Sequence, residues 1–60
     1  MIDYDSIIPI AHRSFVEAPE GSAVETILYM SKRLQDECEL DAVSALVLAK
    51  TSYEVEIGYA

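Results

Sequence analysis

Apolar residues recur at three- and four-residue steps through most of this chain, and two short polar breaks interrupt them. Ile7, Ile8, Ala11, Phe15 and Ala18 fall on one side of a helix drawn through "SIIPIAHRSFVEA". Ser6 is then the N-cap, with Pro9 in the first turn, where its missing N–H is tolerated; Pro9 at the first helical position serves nearly as well. Pro19-Glu20-Gly21 is the clearest breaker. After it, Ser22 and Glu25 stand three apart as a capping box: the serine oxygen accepts from the Glu25 N–H, and the Glu25 carboxylate reaches back to the Ser22 N–H. Val24, Ile27, Leu28, Leu34 and Cys38 follow as an apolar stripe, interrupted by Ser31 and widened by Ala23 and Met30. Lys32, Arg33 and Asp36 occupy the opposite face.

A third helix is expected from Asp41, with Leu40 and Ala45 placed as a hydrophobic staple around that cap. Val43, Leu46, Val47 and Leu48 are too dense an apolar run for a fully solvated helix. The run beyond it is ambiguous. "TSY" is weak helix material, and Tyr53, Val55, Ile57 and Tyr59 alternate with Glu54, Glu56 and Gly58, which is the period of a strand. A strand needs a paired edge, and only "MIDY" or a second copy of the same segment is offered. Continuing the helix to Ile57, with Gly58 as its stop, needs no such assumption and is the preferred reading. No breaker lies between Gly21 and Gly58, so one helix of about 35 residues, roughly 50 Å long, is also conceivable. It would demand a partner. The expected fold is all-α, one domain over residues 1–60: a short three-helix unit or helical hairpin completed by self-association, with a short C-terminal strand as the variant.

Composition narrows the function. A chain of 60 residues buries only about 60% of its unfolded surface, so it gains from association. Cys38 is the single cysteine, which excludes an internal disulfide and suits a reducing cytoplasm. The acidic start "MIDYDSIIPI" lacks the bases of a signal peptide, and no apolar run is long enough to span a membrane. A cytoplasmic location is expected. Eleven acids against four bases give a net charge of −7, which opposes direct binding of DNA, RNA or anionic lipid.

The segment "LQDECELD", Leu34 to Asp41, packs four carboxylates around one thiol. Lys32 and Arg33 stand four residues before Asp36 and Glu37 and can pair with them. Glu39 and Asp41 fall at a helix start, where negative charge is favoured. Metal binding needs three or four convergent ligands, and neither the cysteine spacing nor an EF-hand pattern supplies them. Cys38 continues an apolar stripe, and the acids near it raise the thiol pKa, so it reads as a small core residue rather than a nucleophile. His12, beside Arg13 on the outer face of the first helix, shows neither an orienting carboxylate nor a cleft in the sequence. No enzyme and no cofactor are expected.

What remains is contact with protein. Tyr4, Phe15, Tyr29, Met30, Tyr53 and Tyr59 exceed what so small a core requires, and tyrosine and methionine are favoured at interfaces. The expected function is a small acidic interaction module, accessory or inhibitory in the manner of phage and mobile-element proteins, that self-associates as a dimer. Its apolar contacts are expected at Leu34, Leu46, Val47 and Tyr53, with acids steering the encounter. The alternatives are an acidic mimic of nucleic acid led by Asp36, Glu37 and Glu39, and a structural subunit whose partner is itself.

Overall fold

Ser22 and Asp41 decide where two of the three helices begin. The computed structural model describes residues 4–58, and its elements are α1 (Tyr4–Glu17), α2 (Ala23–Cys38) and α3 (Ala42–Glu56). Ser22 is extended, and its hydroxyl oxygen accepts from the Glu25 N–H at 3.2 Å. The Glu25 carboxylate accepts from the Ser22 hydroxyl at 3.4 Å, so the two side chains close on each other at the cap. Asp41 does the same for α3, accepting from the Ser44 N–H at 3.3 Å. Leu40 and Ala45, the expected staple, both belong to the packed interior.

Helix α1 starts earlier than its sequence suggests. Tyr4 opens it, Ser6 lies inside it rather than capping it, and Pro9 is an internal residue. Proline at that position forgoes one backbone bond, to the carbonyl of Asp5. Ile7 and Ala11, one turn apart on either side of Pro9, are both buried. Ser14 is also buried, and its hydroxyl donates to the Ile10 carbonyl at 2.7 Å, which satisfies it within the helix. Ile8, expected on the core face, is 63% exposed.

The long-helix possibility fails at Glu39. This residue closes α2 in the left-handed region, with φ 55° and ψ 35°, and α3 leaves three residues later. A left-handed C-terminal residue is the common way to end a helix, although glycine usually supplies it. The longest extent of the molecule is 31 Å, far below the roughly 50 Å of an uninterrupted helix. With so short a connection, α2 and α3 are adjacent as a hairpin, and α1 packs against both.

The strand variant is corrected over the described residues. Tyr53–Glu56 is helical, and Gly58, at φ 75°, donates its N–H to the Val55 carbonyl at 3.1 Å. The alternation that mimics a strand has another cause. Tyr53 packs against the core, Val55 borders the space beside α1, and Ile57 caps the helix and is exposed, so the three alternating apolar residues have three different surroundings. Tyr59 and the "MIDY" segment up to Asp3 lie outside the described residues.

The interior is small. Ile7, Ala11, Met30, Leu34, Ala45 and Ala49 are buried, and Ile10, Phe15, Ile27, Cys38, Leu40, Leu48 and Tyr53 pack around them. Met30 and Leu34 are the largest side chains wholly enclosed. The alanines on α3 bring its backbone close to the neighbouring helices, so few large groups fit between. Val24 and Leu28, counted on the core stripe of α2 by spacing alone, stay exposed.

Candidate binding groove between the first and third helices

A groove opens between α1 and α3. Ile7, Ile8, Ala11 and His12 form one wall; Leu48, Thr51, Ser52, Val55 and Glu56 form the other. Its volume is about 360 Å³ and its lining is mostly apolar. That is within the size of small-ligand clefts. The helical period explains the lining: Ile8 and Val55 sit one step off the core-facing positions of their helices, so they flank the seam instead of filling it. Ala11 and Ser52 are too small to close the gap.

At its rim His12 meets Glu56. The imidazole Nδ1 lies 2.8 Å from the Glu56 Oε1, across 44 residues of sequence. The sequence expectation of no orienting carboxylate and no cleft beside His12 is therefore corrected. A carboxylate on Nδ1 selects the tautomer and holds the ring. Nε2 makes no hydrogen bond to a described residue. The Thr51 hydroxyl is engaged with the Val47 carbonyl at 3.0 Å, so it is not aimed at the imidazole. The rim thus combines one fixed polar contact with an apolar floor.

A second cluster joins α1 to α2 by charge. Arg33 bonds Glu37 at 2.7 Å, Glu17 at 2.8 Å and the Tyr29 hydroxyl at 3.0 Å, and Arg13 reaches the other Glu37 oxygen at 2.9 Å. The Arg33 guanidinium also lies 5.9 Å from the Tyr29 ring centroid. Glu37 foremost, then Tyr29 and Glu17, raise the Arg33 pKa above its ordinary range. The Arg33 hydrogen bond correspondingly holds the Glu37 carboxyl below its usual value. The expected Arg33–Glu37 pair forms; Lys32 and Asp36 form none with a described residue.

The residues singled out by sequence scatter. Leu34 is 0% exposed and props the core, so its assignment as a contact residue is withdrawn. Its spacing marks a buried stripe, which a sequence cannot tell from an interface stripe. Tyr53 is half-buried and meets Phe15 edge to face, with centroids 5.9 Å apart. Leu46 and Val47 are exposed on α3, away from the groove. Among the three acids, Glu37 is tied down by two arginines, while Asp36 and Glu39 face solvent. Cys38 is partly buried; burial first, and the Glu37 charge second, push its thiol pKa up. The charge beside the thiol thus matters less than its packing.

Sequence reasoning missed Glu56 and Val55 as site residues, because both sit in the stretch whose period imitates a strand. Among the described residues no group of three or more His, Cys, Asp or Glu is placed to hold a metal ion, and no helix is long and apolar enough to cross a membrane. The chain matches no protein-family model, no curated protein and no solved structure.

Proposed function

We propose that this chain is a small acidic protein-binding module, accessory or inhibitory in role, that receives an apolar segment of another protein in the α1–α3 groove. One observation carries the reading: Ile8 and Val55, 63% and 61% exposed, both line a mostly apolar groove of about 360 Å³. Leaving such surface in water is unfavourable by about 25 cal/mol per Å², and an apolar groove with a polar rim suits an amphipathic segment that lays its apolar side inside. The net charge of −7 favours a basic partner and speeds the encounter. His12 and Glu56 supply polar contacts at the edge. The role is binding, without a catalytic step.

The mimicry reading draws less support. A nucleic-acid mimic depends on unneutralised carboxylates, and Glu37, central to the "LQDECELD" cluster, already holds Arg13 and Arg33.

The test is capture of partners from a nuclease-treated lysate at low and high salt, with Ile8→Asp, Val55→Asp and Leu46→Asp as companions. A partner retained at high salt, lost with either groove variant and kept with Leu46→Asp is the expected result. A partner indifferent to both groove variants, or no partner at all, sinks the reading.

A further inference from the structure

Helix α3 carries apolar groups on two opposite sides. Ala45 and Ala49 are buried inward, while Val43, Leu46, Val47 and Ile57 are exposed outward. A helix apolar all round is normally covered all round. The outward residues recur at three- and four-residue steps, and Lys50 and Glu54 complete their stripe. Arg13, Arg33 and His12 are each engaged with a carboxylate, whereas Lys50 and Glu54, like Lys32 and Asp36, form no ion pair with a described residue. Lys50 and Glu54 stand between two exposed apolar residues, Val47 and Ile57.

The stripe keeps its spacing in reverse, with the two charges exchanged. From Val47 to Ile57 the order is apolar, positive, negative, apolar, at intervals of three, four and three residues. Two such helices related by a two-fold axis can run antiparallel so that Val47 meets Ile57 of the second copy and Lys50 meets Glu54 of the second copy, each pair occurring twice. A parallel arrangement in register sets lysine on lysine and glutamate on glutamate. An antiparallel arrangement centred on residue 50 also sets lysine on lysine. Like charges at such facing positions select against both, as flanking charges do in coiled coils. A two-fold contact also requires one patch complementary to itself, and this stripe has that property. We infer that the outward face of α3 is a homodimer interface, packed antiparallel with Val47 against Ile57 and Lys50 against Glu54. It uses a surface separate from the α1–α3 groove, so the two proposals stand or fall separately.

Charge reversal tests the inference. Sedimentation equilibrium of the full chain is expected to show a monomer–dimer equilibrium. Lys50→Glu and Glu54→Lys, each alone, turn both facing pairs into repulsive ones and weaken dimerisation roughly tenfold or more. The double variant restores opposite signs in every pair and is expected to dimerise like the parent chain. An equimolar mixture of the two single variants is expected to form a heterodimer, because every facing pair is again of opposite sign. Lys50 is exposed and Glu54 half-exposed, and helical circular dichroism confirms that each variant folds. A parent chain that stays monomeric at its highest attainable concentration overturns the inference. So does a dimer whose affinity is the same in both single variants, or a double variant no better than either single one.

Discussion

His12 and Glu56 meet at 2.8 Å although 44 residues separate them, and they join the first helix to the end of the third. Both side chains border the α1–α3 groove. The pair therefore adds a polar tie between two walls that the core also holds. Ion pairs at such partly exposed positions contribute about 0.2–1 kcal/mol. A double-mutant cycle with His12→Ala and Glu56→Ala, read by urea unfolding below neutral pH, is expected to return a coupling energy of that size. Zero coupling means that the contact does nothing to hold the two helices together.

Leu34 and Leu46 are both apolar and both on helices, yet they should behave oppositely. Leu34 is 0% exposed, and Leu46 is 45% exposed. Leu34→Ala is expected to cost about 2–5 kcal/mol. That is comparable with the whole stability of a domain this size, roughly 3–9 kcal/mol. Leu46→Asp should change monomer stability by no more than about 0.5 kcal/mol. Urea midpoints measured at dilute concentration check both. Equal losses from the two substitutions contradict the burial pattern.

Glu39 ends α2 in a conformation that a Cβ disfavours. Left-handed backbone costs a non-glycine residue about 1–2 kcal/mol, partly offset by the greater freedom glycine has when unfolded. Glu39→Gly is accordingly expected to stabilise the protein by about 0.5–1 kcal/mol, seen as a higher urea midpoint with an unchanged slope. A lower midpoint means that α2 and α3 do not part at this residue.

Acid should unfold the molecule by a definable route. The Glu37 carboxyl is held below its ordinary 4.5, first by the Arg33 hydrogen bond, and the Asp41 carboxyl below its ordinary 3.8, first by the Ser44 hydrogen bond. Groups with lowered folded pKa values contribute stability that is complete above the unfolded value and lost as pH falls through the folded one. Stability is thus expected to hold down to the ordinary carboxylate range and decline below it. Glu37→Gln should make that decline shallower. A pH profile of urea midpoints with the same acid slope in parent and variant argues against the Arg33–Glu37 bond.

Cys38 should react sluggishly. Burial, and then the neighbouring Glu37 charge, raise its thiol pKa, so little thiolate is present at neutral pH. Iodoacetamide is expected to modify the folded chain much more slowly than the urea-unfolded chain. Equal rates imply that the thiol is not packed where the fold places it.

Much of this architecture can be read from short-range pattern. Ser22 with Glu25, and Asp41 with Ser44, are local signals, because a cap needs only residues within one turn of itself. Gly58 as the stop of α3 is local in the same sense. The start of α1 is not legible in the same way: Ser6 and Pro9 carry the local signals of a helix start, yet the helix begins at Tyr4 and buries Ile7 and Ala11. The break at Glu39 was not legible as a breaker, since glutamate has no preference for left-handed backbone. It becomes necessary only because two helices that pack on each other must reverse direction there.

The amino-acid sequence by itself determined that the chain is mostly helical, where two helices are capped, that Lys32 and Arg33 stand one turn from Asp36 and Glu37 on α2, and that large apolar residues are many for so small a core. These depend on residues within a few positions of each other, where the helical period is enough. Only the tertiary structure decided which apolar residues are core and which are surface, because every stripe looks alike until a neighbouring helix covers it. It placed Leu34 inside, turned Ile8 and Val55 toward a shared groove, and brought Glu56 to His12. Contacts between residues dozens of positions apart follow from how helices pack, and packing is set by the whole set of side chains at once.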